Sequence, residues 1–167
     1  MKKAFITSVI ALLLILCSNG MQAQSSQKKL NQVELLKKFI GTWKGELGKD
    51  SIGWSEISPF GEISIVGNFK IEVKDKIVYQ MKSIFGYDKK SDKIYSVDLE
   101  KKSGTMIFYQ CEFISDNVLK AVVIKDITNP NVASGKVYYE EFKTPDVLVE
   151  SVTEHNQKTS ITFKRIK

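Results

Sequence analysis

Arginine is almost missing from this chain. Arg165 is the one guanidinium among 167 residues, and lysine fills every other basic position. Histidine is limited to His155, and cysteine to Cys17 and Cys111. These scarcities exclude a good deal. A structural zinc site wants several His or Cys ligands, and no such spacing occurs. A Ser-His-Asp or Cys-His arrangement would need His155 as its base, but that residue falls in the polar Glu154 to Lys158 turn. The same turn points it toward solvent, with no second histidine near it, which argues against a haem ligand. No cofactor, no metal and no catalytic residues are expected.

Charge of one sign is not concentrated either. The formal net charge is +6, spread along the chain with no block of five or six like charges. Without a helical basic stretch, this reads as a solubilising surface, and no nucleic-acid partner is expected. The one long apolar run, Ala4 to Cys17, is too short to span a membrane comfortably, since a spanning helix needs about 20 apolar residues. It follows Lys2 and Lys3 and precedes Met21-Gln22-Ala23, so residues 1–23 read as a signal peptide cleaved before Gln24. The expected location is secreted or periplasmic, with no membrane span after cleavage. Lipid anchoring through Cys17 is the rival, disfavoured because Leu16 is large.

Cleavage would leave 144 residues, 24–167, with a formal charge of +4 after loss of Lys2 and Lys3. That length suits one domain with a sizeable core. Only Cys111 would remain, so no intrachain disulfide is possible; its apolar surroundings suggest a buried, inert thiol.

Lys28 to Ile40 shows a helical period: Leu30, Val33, Leu36 and Phe39 recur, with Leu35 and Ile40 widening the stripe. Ser25 or Ser26 is the expected cap, and Gly41 the stop. Beyond Gly41 the chain reads as ten strands separated by turn residues. They are Gly41–Gly48, Ser51–Ser58, Glu62–Lys74, Lys76–Gly86, Lys93–Leu99, Thr105–Ile114, Asn117–Asp126, Gly135–Lys143, Asp146–Glu154 and Lys158–Ile166. Several alternate cleanly: Ile65, Phe69 and Ile71 share a face in the third, and Tyr109, Cys111 and Phe113 in the sixth. One-faced strands joined by short turns predict an all-β antiparallel up-and-down barrel of about ten strands with one N-terminal helix. A barrel of that size has room for a cavity.

The ends suggest how it closes. Trp43 lies on the first strand and Arg165 on the last, and a guanidinium stacks well on an aromatic face. For a cavity wall, the expected ligand-binding residues are Trp54, Tyr79, Tyr95, Tyr109 and Tyr139, whose rings combine apolar faces with polar tips. Glu150 joins them if Leu148 and Val152 face inward. Val147 and Val149 leave that register open, and the inward face of 135–143 is equally open. Glu140 and Glu141 are adjacent on a strand, so they point to opposite faces and do not converge on one substrate. The alternation shows no inward cluster of polar groups with shifted protonation.

A helix, then Phe39-Ile40-Gly41-Thr42-Trp43-Lys44-Gly45, then a meander ending in Phe163-Lys164-Arg165, resembles the calycin superfamily of lipocalins and fatty-acid-binding proteins. Within it, the chain most resembles secreted bacterial lipocalin-like domains. Gly86-Tyr87-Asp88 leading into Lys93-Ile94-Tyr95 is similar to that group as well. The resemblance implies that Trp43 and Arg165 plug one end of the barrel. The Thr-Asp-Tyr loop of lipocalins is absent, and so is the arginine–tyrosine pair that holds fatty-acid carboxylates. The expected function is non-enzymatic binding of a small, partly apolar molecule. An isomerase or lyase on the same barrel, or an interaction module with a filled barrel, are the alternatives. Neither ligand identity nor oligomeric state follows from the sequence.

Overall fold

The computed structural model describes residues 29–130, 132–154 and 157–166. The expected leader with Cys17, and His155, lie outside the described residues. Ten antiparallel strands close into one barrel: β1 (Gly41–Gly48), β2 (Ser51–Pro59), β3 (Ser64–Val73), β4 (Lys76–Asp88), β5 (Lys93–Glu100), β6 (Met106–Ser115), β7 (Val118–Ile124), β8 (Ala133–Thr144), β9 (Val147–Glu154) and β10 (Gln157–Arg165). Each strand pairs with its neighbours in sequence, and β10 returns to β1. The fold is thus the expected up-and-down barrel, and closure leaves no open sheet edge. Among the described residues, no helix is long and apolar enough to cross a membrane.

The turns follow their residues. Lys74 and Asp75 join β3 to β4 with φ of 47° and 61°, the two positive values that a two-residue type I′ hairpin requires. Asp50 and Asp92 take positive φ at other turns, where their short polar side chains tolerate it.

The helix is shorter than its periodicity predicts. α1 spans Gln32–Leu36 and tightens into a 3-10 turn at Lys37–Phe39. Asn31 caps it, its side chain accepting the Glu34 N–H at 3.2 Å; the expected caps, Ser25 and Ser26, lie outside the described residues. Gly41 then turns the chain into β1 at φ 137°, a conformation L side chains rarely adopt. Gln32 is buried and fastens α1 to β6. Its side-chain amide donates to the Phe113 carbonyl at 3.2 Å and accepts the Phe113 N–H at 2.7 Å. Phe113 is the last β6 residue before the β6–β7 register shifts, and the Gln32 side chain pairs with both of its backbone groups.

Leu36 and Phe39 of this segment pack with Phe113 and Phe142 into a floor at this end of the barrel, the Phe39 and Phe142 ring centroids 4.8 Å apart. Trp43 is 1% exposed, and its indole N–H donates to the Phe39 carbonyl at 2.7 Å. Trp43 and Arg165 are register partners where β1 meets β10. The guanidinium carbon sits 4.1 Å from the Trp43 ring centroid. Its nitrogens donate to the Lys38 carbonyl at 2.8 Å, the Pro145 carbonyl at 3.1 Å, and the Ile40 carbonyl. One planar fork therefore ties the end of the helical segment, the β8–β9 turn and the final strand together. Gly45 allows the last strand to lie close: a Cβ there would meet the Phe163 ring at 2.8 Å.

Candidate functional site: a cavity lined by three carboxyl groups

Above the floor the barrel is not filled. A cavity of about 150 Å³ lies between the inward rows of side chains. Its lower wall is apolar, with Phe39, Trp43, Ile65, Leu148 and Phe163. Its middle is polar. Asp98 from β5, Glu140 from β8 and Glu150 from β9 line it, along with Ser83, Ser96 and Tyr109.

Strand register builds this cluster. Glu140 and Glu150 are direct cross-strand partners, and they face inward because Phe142 and Leu148, the next pair on the same face, belong to the floor. This resolves the two strands whose inward face the sequence left open. Asp98 belongs to the row of Ile94 and Ser96, which are 0% and 6% exposed. Here hydrophobicity misleads: Tyr95, Val97 and Leu99 make the more apolar row of β5, yet they point outward, and Leu99 is 43% exposed. The expectation that no inward cluster of shifted polar groups exists is therefore corrected. Its members come from β5, β8 and β9, and closure brings them together.

The electrostatics are one-sided. Burial raises the protonation point of Glu140 to about 8, with Glu150 and then Asp98 adding repulsion. Glu150 is raised by burial and then by Asp98. Asp98 is raised by burial, partly offset by hydrogen bonds from Ser83 and Tyr109. Tyr109 is raised as well, by burial first and then by Asp98. No cation enters any of these balances, and among the described residues no Lys, Arg or His lines the cavity. Lys136 lies further along the inward row of β8, its ammonium 5.8 Å from the Tyr138 ring centroid, outside the cavity lining. Among the described residues, no group of three or more His, Cys, Asp or Glu is placed to hold a metal ion.

The six residues expected on a cavity wall divide. Tyr109 and Glu150 line it. Tyr79 is on the inward row of β4 but stacks edge-on against Phe69, 6.2 Å between centroids, outside the lining. Trp54, Tyr95 and Tyr139 are corrected to the outer face. Trp54 is held there by Lys44 and Lys70, 5.0 and 5.5 Å from its ring centroid, and donates to Glu72 at 2.9 Å. Tyr95 alternates with buried Ile94 and Ser96, and Tyr139 with the cavity residues Tyr138 and Glu140. Aromatic character favoured the wall for all three, but the pleat decides the face. Missed were Asp98, Glu140 and Tyr138. The one available signal was alternation with Phe142, and Val137 and Tyr139 obscured it. Cys111 is 1% exposed, its thiol pushed up to about 12 by burial despite the Ser96 hydroxyl 3.7 Å away.

No family model and no curated protein matches this chain. The cavity's own chemistry is the guide to function.

Proposed function

We propose that the protein is a lipocalin-like binding protein of the calycin kind, which holds one small, partly apolar molecule inside its barrel without covalent chemistry. It works after export from the cytoplasm and removal of residues 1–23. The observation that carries the reading is the cavity itself: an apolar lower wall beneath a ring of inward carboxyl and hydroxyl groups. Such a site buries the body of a ligand and orients one polar end. The cavity weighs against an interaction module with a filled barrel. Native mass spectrometry of the mature protein from its own source tests the proposal. The expected result is a discrete added mass that is lost on denaturation. A clean apo mass, with no small molecule taken up on titration, overturns it.

One feature favours proton-transfer catalysis as a second reading. Asp98 and the Tyr109 hydroxyl share the cavity with a glutamic acid whose protonation point is raised to about 8. An acid poised near the working pH can pass a proton to a bound substrate. Deuterium exchange into cyclohexanone in heavy water separates the readings. Exchange above the buffer blank, lost in Glu140→Gln, moves the assignment to an isomerase-type enzyme.

A further inference from the structure

Resting on the small-ligand reading above, we propose that the cavity takes a small primary amine, its ammonium group seated among Asp98, Glu140 and Glu150 and its apolar body against the aromatic floor.

The argument begins with what faces the carboxyls. From β4 and β5 come the hydroxyls of Ser83 and Ser96; from β6 and β8 come Tyr109 and Tyr138, with Lys136 beyond the lining against the Tyr138 ring; apart from the three acids, every described side chain lining the cavity is neutral. Three acids thus line the cavity with no cation among the described residues that line it. Asp98 has Ser83 and Tyr109 as donors. Glu140 differs: it faces inward from β8, lines the cavity, and takes no hydrogen bond from the described residues. A carboxyl in such a place is costly unless something pairs with it. To ionise there, it needs a partner that brings donors and positive charge. A metal ion does not fit, since the carboxyls are not placed to ligate one. An ammonium group does: it offers three donors for the acids, and the Tyr109 and Tyr138 rings, 5.9 Å apart, add faces that attract cations.

Size narrows the class. The cavity measures about 150 Å³, a volume that holds a molecule of roughly benzene size. The ligand is a monoamine with a compact apolar body, not a long-chain lipid.

Proton traffic supplies the signature. Without ligand, burial first and repulsion from Glu150 and Asp98 second keep a proton on Glu140 at neutral pH. A bound cation favours the ionised carboxylates, so binding expels a proton to the buffer. An uncharged ligand does not do this. The test is isothermal titration of the mature protein at pH 7 with benzylamine, benzyl alcohol and benzoate, each in phosphate and in MOPS. These two buffers differ widely in ionisation enthalpy, so the heat difference counts protons. The expected result is benzylamine binding at least about tenfold more tightly than benzyl alcohol, with release of up to about one proton per amine. Benzoate should not bind. Glu140→Gln and Asp98→Asn, both near-isosteric, should each narrow the amine preference, and Glu140→Gln should reduce the proton release. Their thermal transitions check that they fold. Benzyl alcohol binding as well as benzylamine, without proton release, overturns the amine assignment and leaves the small-ligand reading intact. Binding of none of the three overturns both.

Discussion

Replacing Glu140 with glutamine should make this protein more stable at neutral pH. Glu140 titrates near 8 in the folded barrel against 4.5 for the unperturbed group, chiefly because burial disfavours its charge and Glu150 repels it. The folded state therefore holds a proton that the unfolded chain has lost across that interval. Stability changes with pH in proportion to protons bound by the unfolded state minus those bound by the native state. That difference is negative here, so stability falls as pH rises from about 4.5 to about 8 and then levels. One proton corresponds to about 1.4 kcal/mol per pH unit, so the loss accumulates to several kcal/mol. Such a loss is a large share of the 5–15 kcal/mol that typically holds a domain together. Glu150 and Asp98 shift in the same direction, which steepens the slope. Glutamine keeps the shape and cannot ionise, and the cavity leaves room for water to satisfy its amide. Urea unfolding of the wild type and Glu140→Gln from pH 4.5 to 8.5 measures this directly. The curves should nearly meet at the acid end and diverge by a few kcal/mol at pH 8. Parallel profiles, or a variant less stable than wild type at pH 8, would refute the buried-acid account.

Four further outcomes follow from the packing. Arg165→Lys removes the planar fork that reaches three carbonyls and stacks on Trp43, so it should cost about 2 kcal/mol in urea unfolding; a change within about 0.5 kcal/mol would show the plug to be dispensable. Gln32→Ala leaves the Phe113 N–H and C=O without their partner and should cost about 1–3 kcal/mol, with helical signal lost early in a thermal melt. Gly45→Ala drives a methyl to within 2.8 Å of Phe163 and 3.0 Å of the Thr162 carbonyl, and should lower stability by about 1–3 kcal/mol in the same assay. Cys111 should resist thiol reagents in the folded protein and react promptly in denaturant; rapid labelling under native conditions would contradict its burial.

The strand pattern was legible because its causes are local. Turns such as Lys74-Asp75 carry residues that tolerate positive φ, and between them the apolar rows of β3 and β6 mark their own inward face. Ten strands were expected, and ten are found with ends within a few residues. The site was far less legible. Trp54, Tyr95 and Tyr139 looked like wall residues by type, yet the pleat turns them outward. Hydrophobic contrast identifies the inward face only where the interior is apolar. On β5 it points the wrong way, because Ser96 and Asp98 are the inward residues.

By itself, then, the amino-acid order determined the number of strands, their antiparallel succession and the placing of Trp43 and Arg165 at opposite ends of the chain. Those properties need only turn chemistry and a two-residue period. Closure of the barrel decided the rest. A period of two defines two faces without saying which looks inward, and no local rule brings residues 98, 140 and 150 together. Register around a closed ring does both: it sets Glu140 against Glu150, aims Asp98 at them from a strand more than forty residues earlier, and leaves a space between them.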